Sequence, residues 1–515
     1  MEVIDWIKDA VGICICREIT QKAKNMQSAV LKEQYGQFSP EEKELVRRVI
    51  REQFDRKDCI YIYSVFLHDM PKEDFADAML DAVLESEFSV YAGSMLELQI
   101  HKYYRDYKNL YPKVRAVHQN NVRSWNRQMM LNLPYQLPQD RNRNRIVLIT
   151  EQLLDLVMHA PSRIVFHLAE AFHKMGFEIT IFACPCDADV PDSLWHAPKR
   201  MNSIQPFEKL PLKYRFHGIA FEGYQINMHQ QNLKEYHMMF TLIHALNPLF
   251  VLNLGVMNPA ADVVSSFTTA AAFEMNIACP VSEAEILIRH ERSEEGLEQI
   301  YAQSLEKNQT QLFMKQKFPV LVQEEKAEAG CTRKELGLPE HRFLAAVTGH
   351  RLNTDISPRF LDFMKELLQK LPELDFVIIG DADGIKTRLS EGDFNGRVFF
   401  LGPREHLMQV YRVTDLYLNP ERAGGGFSSV MALMAGIPVL TLPDCDVARM
   451  AGEAFTVPDY DAMADTAAAY VSDTEFYQRQ AEKAKETKEQ NSPLKMEAYA
   501  KELLSGILQC IGVTL

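Results

Sequence analysis

Residues 419–439 read NPERAGGGFSSVMALMAGIPV, and the fold turns on how this stretch is read. A strand predicted at 417–419 runs into three glycines, Gly424, Gly425 and Gly426. Ser428 and Ser429 then open a helix, which Ala435-Gly436-Ile437-Pro438 closes before a strand at 439–441. Strand, turn, helix and strand in that order make the repeating unit of a parallel α/β sheet. Glycines accept backbone conformations closed to other residues and let a ligand come close to the chain. The helix N terminus behind them offers N–H groups and a partial positive charge, and the two serines add hydroxyl donors. This is a way to hold a diphosphate with few cations. No Gly-Lys-Ser/Thr follows, as a Walker A loop would require, and no GxGxxG stands after the first strand. A glycine-rich turn is also an ordinary strand–helix connection, so the neighbouring segments must decide.

Working outward, short apolar runs predict strands at 146–150, 178–183 and 250–254, and a second series at 343–348, 376–380, 398–401, 417–419 and 439–441. The helix between the first two strands, 164–175, ends at Gly176 as a C-cap should. A polar stretch at 322–340 separates the two series. Each alternates strand and helix, which predicts parallel sheets with helices on both faces and a ligand cleft at the carboxyl ends of the strands, between the two domains. Residues 1–130 read instead as helices. Ser39-Pro40-Glu41-Glu42 combines an N-cap, a proline in the first turn and an acid at the third position, and Asp69-Met70-Pro71 marks a second start. Residues 132–140, with two prolines, read as a linker. The expected organisation is a helical N-terminal domain (1–140), a first Rossmann-like domain (141–325), a second (326–485) and a C-terminal helix (486–515). No repeat occurs at solenoid periods.

The 515 residues carry 56 Lys+Arg and 70 Asp+Glu, a net charge of −14. That balance argues against a charge-driven nucleic-acid binder. One stretch departs from it: residues 101–145 hold ten basic and two acidic residues, interleaved with Tyr103, Tyr104, Tyr107 and Tyr111. A solvated helix face is the plain reading, and a docking surface for an acidic acceptor, a partner protein or an anionic membrane is the other. No run of 18 apolar residues occurs, so no transmembrane segment is expected, and Glu2, Asp5 and Asp9 stand where a secretory signal carries cations. The nine cysteines show no zinc spacing and read as reduced thiols of a cytoplasmic protein.

The segment 419–439 resembles the donor-diphosphate loop of GT-B glycosyltransferases, and its wording, GGxxS…AGxPVLTLP, is most similar to inverting families that include the O-GlcNAc transferases and bacterial cytoplasmic protein glycosyltransferases. Retaining members carry two glutamates here, at positions held in this chain by Ala423 and Met431, with Glu421 out of register. Gly402-Pro403-Arg404-Glu405-His406 resembles the loop that packs around uracil in that group. Thr348-Gly349-His350-Arg351-Leu352 stands where a diphosphate-binding loop belongs, with Asn353, Thr354 and Asp355 where the family often has a lysine. The resemblance implies a GT-B fold and a nucleotide-sugar site made of His350, Arg351, Arg404, His406, Gly424, Gly425, Gly426, Ser428 and Ser429. The donor is then a UDP-sugar acting as substrate, with no cofactor and no metal. Three Asp-x-Asp pairs, 187/189, 381/383 and 444/446, read as turn formers after strands rather than metal ligands. For the catalytic base, Met158-His159-Ala160-Pro161-Ser162 resembles the His-Pro-Thr-Ser stretch of O-GlcNAc transferases, and an imidazole suits proton transfer near neutral pH. His159 is read equally as base or as orienting group, with Asp262 as the second candidate base. The implied activity is transfer of a hexosyl or N-acetylhexosaminyl group to a protein. Extension of a glycan and a non-catalytic partner subunit stand as alternatives, with residues 1–140 serving an acceptor, a partner protein or a homo-oligomer.

Overall fold

The computed structural model describes residues 3–15, 30–31, 33–69, 72–94, 96–97, 100, 107–151, 153, 160–185, 212–226, 232–275, 279–321, 332–404, 406–422 and 424–514. The chain falls into two compact units. The first comprises Met1–Leu156, Pro161–Lys315 and Glu502–Leu515; the second comprises Val157–Ala160 and Gln316–Lys501.

The first unit opens with helices α1 (Val3–Ile15), α2 (Pro40–Gln53), α3 (Arg56–Asp69), α4 (Glu73–Leu84) and α5 (Tyr111–Met129). The capping box expected ahead of α2 is present: Ser39 Oγ accepts from Glu42 N at 3.2 Å, and Glu42 Oε2 accepts from Ser39 N at 2.8 Å. The start expected at Asp69 is not. Asp69 ends α3, and α4 begins after Lys72, whose side chain makes no cap bond. What fixes α4 is its apolar face, with Phe75, Met79 and Val83 buried.

Alternation then takes over with β1 (Asn142–Thr150), α6 (Ala160–Lys174), β2 (Glu178–Ala183), β3 (Leu212–Phe216), β4 (Ile219–Gln225), α7 (Leu233–Leu246), β5 (Pro248–Asn253), α8 (Pro259–Val263), β6 (Ala270–Phe273), β7 (Ile286–Arg289), α9 (Glu295–Gln303) and β8 (Thr310–Phe313). Among the described residues these strands form an eight-stranded sheet, ordered β3-β4-β2-β1-β5-β6-β7-β8. Its pairings are parallel except that β3 runs antiparallel to β4. Strands β1, β2 and β5 fall where the apolar runs placed them. Strands β6, β7 and β8 went unseen because four residues are too few to show a period.

Among the described residues the helical region shares its core with the first sheet. One apolar cluster runs from Trp6, Phe66, Phe75 and Val114 directly into Met257, Ala270, Cys279, Leu287 and Tyr301. A second joins Trp125 to Val147, Phe182 and Val251 of the sheet. The segment 132–140 is correspondingly fastened: Gln136 N donates to Phe267 O at 2.8 Å, and the Arg141 guanidinium donates to Gln136 O at 2.7 Å. A boundary at 140 therefore marks a change of secondary structure, not of folding unit.

The second unit contains β9 (Phe343–Gly349), α10 (Leu352–Asp355), α11 (Pro358–Lys370), β10 (Leu374–Gly380), β11 (Val398–Phe400), α12 (Leu407–Tyr411), β12 (Leu416–Leu418), α13 (Gly426–Met434), β13 (Val439–Leu440), α14 (Asp446–Ala451), α15 (Tyr460–Ser472) and α16 (Thr474–Gln490). All the pairings of its five-stranded sheet are parallel, in the order β11-β10-β9-β12-β13. Separate apolar layers cover its two faces, one around Phe360, Met364 and Met463, the other around Tyr411, Leu433 and Val447. Ala484 of α16 is buried in the second layer, so α16 is part of this unit's core. The last helix, α17 (Pro493–Ile511), is divided between the units at Lys501/Glu502. Among the described residues no helix is long and apolar enough to cross a membrane.

The order in which strands are added reverses between β9 and β12, and ligands of open α/β sheets bind outside the carboxyl ends of the strands at such a switch point. The strand ends there are packed too tightly for side chains. Gly380 closes β10 with φ +130°, and a Cβ on it would stand 1.8 Å from Gly349 O. Replacement Gly380→Ala is expected to destabilise this unit by at least about 2 kcal/mol. Denaturant unfolding measures the loss, and an unchanged midpoint would contradict this packing.

Candidate functional site

Two loops meet at the switch point. After β9 the chain runs through Gly349, His350 and Arg351, with both His350 and Arg351 exposed. After β12 it runs through Asn419 to the glycine turn, where Gly424 and Gly425 take left-handed φ values of +84° and +88° and α13 starts at Gly426. The Arg351 guanidinium lies over this turn: a Cβ on Gly424 would be 3.8 Å from its Nη2. A fixed cation therefore sits beside a glycine turn and the N terminus of a nine-residue helix. Such an arrangement suits an anion with two or more oxygens.

Beneath the two loops lies Arg422, which the sequence reading passed over. Its side chain is only 4% exposed. Nη2 donates to Thr348 O at 2.5 Å and to the Tyr417 hydroxyl at 2.9 Å; Nε donates to Asn419 Oδ1 at 3.1 Å, and Nη1 to Asp355 Oδ2 at 3.2 Å. Burial opposes its charge, but Tyr417 and Asp355 outweigh that and its pKa is raised. The guanidinium occupies space that side chains would fill: a Cβ on Gly349 would be 2.2 Å from Nη1, and one on Gly425 would be 2.8 Å from Nη2. A glycine in each of two distant loops was the only sequence trace of this residue.

The remaining expected residues divide. Ser428 is half-buried; its hydroxyl donates to Gly425 O at 2.9 Å and lies 3.1 Å from the Tyr417 hydroxyl. Ser429 is fully buried and donates to Gly426 O at 2.8 Å, so it braces the helix and is corrected from ligand donor to structural residue. Arg404 is exposed, with Nε on Leu401 O at 3.0 Å, and exposed His406 precedes α12. Their loop is joined to the end of β10 by Gly380 N donating to Gly402 O at 3.0 Å. Asp446 Oδ2 accepts from Gly424 N at 2.6 Å, and Asp381 Oδ1 accepts from Asp383 N and Asn353 Nδ2, so both acids shape turns. Of the sequence positions singled out earlier, Glu2, Met70, Pro71, Tyr103, Tyr104, Met158, His159, Asp187, Asp189, Glu405 and Ala423 lie outside the described residues.

Asp262 does not fit the role of catalytic base. Its side chain is fully buried on α8, ahead of which Asn258 caps the helix by accepting from Ala261 N at 3.1 Å. One Asp262 oxygen accepts from Ser282 Oγ; the other meets His118 Nε2 and accepts from Glu283 N. His118 Nδ1 lies 3.1 Å from Glu97, also buried. Inaccessible and fully engaged, this carboxylate instead anchors α5 to the first sheet. Burial alone would lower the His118 pKa, but Glu97 and Asp262 outweigh it and raise it to about 10.

Against known proteins, residues 344–473 match the family model described as Glycosyl transferases group 1. The second unit thus carries a glycosyltransferase group 1 domain. The lipopolysaccharide core biosynthesis mannosyltransferase LpsB of Rhizobium meliloti is 28% identical over 160 residues, covering 27% of this chain and 45% of that protein. The chain thus spans under half the length of the curated relative it matches. A mutant O-GlcNAc transferase of Thermobaculum terrenum superposes with a TM-score of 0.53 at 15% identity, over 99% of this chain and 98% of that one. A UDP-forming alpha,alpha-trehalose-phosphate synthase of Burkholderia vietnamiensis does so with 0.51 at 11% identity, over 73% and 100%. At these identities the likeness concerns the fold, which is GT-B, preceded by a helical region.

A pH dependence of stability follows from His118. Its folded pKa of about 10 lies above the unfolded value of about 6.5. The stabilisation is therefore fully present below about pH 6.5 and is lost as pH rises through about 10. Denaturant midpoints are expected to fall across this window in the unaltered protein and to fall less in His118→Gln. Equal slopes in the two would show that His118 does not hold its proton.

Proposed function

We propose that the protein is a glycosyltransferase that moves a sugar from a UDP-sugar to an acceptor with inversion and without a metal. The observation that carries this reading is the juxtaposition of Arg351 with the Gly424–Gly425 turn and the start of α13, at the switch point of the group 1 domain. In the proposed reaction the acceptor O–H or N–H attacks the anomeric carbon of the sugar. The bond from that carbon to the diphosphate oxygen breaks, the proton passes to a base for which His159 remains the candidate, and UDP departs. Arg351 and the helix N terminus would stabilise the charge building on the departing diphosphate, as preorganised donors and dipoles do. His350, Arg404 and His406, all exposed at carboxyl ends of the same sheet, are assigned to the nucleotide. The inverting reading rests on Met431 and Ala423 standing where retaining members carry glutamates.

Two acceptors are in play. A protein acceptor is the reading suggested by the sequence motifs. A glycan acceptor is favoured by the mannosyltransferase of lipopolysaccharide core synthesis, a relative by sequence rather than by fold alone. Mass spectrometry of co-expressed proteins and glycans, with a panel of UDP-sugars, separates them. We place the protein in the cytoplasm, a reading supported by Cys59, a buried thiol outside any disulfide.

Arg351→Ala is expected to weaken UDP binding by about 1.5–3 kcal/mol, roughly tenfold to a hundredfold, with the unfolding midpoint unchanged. Calorimetric titration decides it, and an unaltered affinity would remove Arg351 from the site. Transfer is expected to persist in excess EDTA; activity lost there and restored by Mn²⁺ or Mg²⁺ would overturn the metal-free reading.

A further inference from the structure

We infer that Asp355 is a positioning residue, holding Arg351 over the glycine turn through a carboxylate that buried Arg422 keeps in place. The inference rests on the proposed nucleotide-sugar site and names what organises it.

Asp355 closes the single turn of α10, its N–H donating to Arg351 O at 2.8 Å. The backbone thus returns the carboxylate beside the residue that opens the turn. The side chain is 10% exposed and its two oxygens face different cations: Oδ2 accepts from Arg422 Nη1 at 3.2 Å, while Oδ1 lies 3.8 Å from Arg351 Nε. The two arginines are in opposite situations. Arg422 is 4% exposed and its donors are tied to the Thr348 carbonyl, to the side chains of Tyr417 and Asn419 and to Asp355, so it cannot swing. Arg351 is 58% exposed and reaches over Gly424.

An exposed arginine samples many rotamers, and a ligand must otherwise remove that freedom on binding. A carboxylate pinned on one oxygen and offered on the other removes part of it beforehand. Pinning comes from Arg422, because a carboxylate facing only an exposed guanidinium would itself move. The alternative role for Asp355 is to balance the buried charge of Arg422 and nothing more. The two roles differ in one respect: only positioning makes the effect of Asp355 on ligand affinity depend on Arg351.

The experiment is a double-mutant cycle on the full chain, read as UDP affinity by calorimetry, with thermal midpoints recorded alongside. Asp355→Asn keeps an oxygen for Arg422 and gives up the charge that faces Arg351. It is expected to weaken UDP binding about tenfold in the unaltered background and by less than about twofold in Arg351→Ala. Should the amide variant fail to fold, Asp355→Glu retains the charge beside Arg422 while displacing the oxygen that faces Arg351, and the same pair of outcomes is expected. UDP binding by the unaltered chain with equal losses in both backgrounds overturns the positioning role alone. No UDP binding by the unaltered chain overturns the functional reading and this inference with it.

Discussion

The second unit depends on one buried guanidinium. Taking an arginine out of water costs several kcal/mol unless its donors are matched. Arg422 meets that demand with a backbone carbonyl at the end of β9, a side-chain amide and a phenol from β12 and its loop, and the carboxylate of Asp355. Because those partners come from two strands that are adjacent in the sheet but far apart in sequence, satisfying one side chain fixes both loops at the switch point. Gly349 and Gly425 follow from it, since a side chain at either would overlap the guanidinium. Gly349 and Gly425, which look made for a ligand, are thus made first for Arg422.

The first unit shows the same economy with a different charge. His118 is held between Glu97 and Asp262, all three out of contact with solvent, and ties α5 to α8, the helix between β5 and β6. Arg115, one turn earlier, donates to Ser282 O at 3.2 Å and also meets Glu283 and Gln309. Around these polar contacts the apolar faces of the helices merge with those of β6, β7 and α9. The helical region therefore supplies core to the first sheet, and a truncation at residue 140 would expose that core.

Much of the fold could be read from the chain because parallel strands buried on both faces are continuous apolar runs bounded by glycine and proline. That rule located β1, β2, β5 and the strands of the second sheet. It failed for β6 (AAAF) and β7 (ILIR), where four residues carry no period, and for the β3–β4 hairpin on the edge of the sheet. Of the candidate site, the glycine turn, Arg351 and the Gly402 loop were legible as segments at the ends of strands, a matter of placement alone. Ser429 and Asp262 were misjudged for one reason: residue type and spacing say that a group can donate or accept, but not whether its partner is solvent, ligand or protein.

By itself the sequence determined that this is a tandem α/β protein with a glycine-rich strand–helix turn late in its second half. Local periodicity, glycine placement and helix signals are all short-range properties. The tertiary structure alone decided that β9 and β12 lie side by side, which brings Arg351 over Gly424 and buries Arg422 beneath them. It also decided that Asp262 faces His118 rather than a substrate. Both outcomes depend on contacts between residues scores of positions apart, where strand order and the demand to satisfy buried charge, not local sequence, choose the partners.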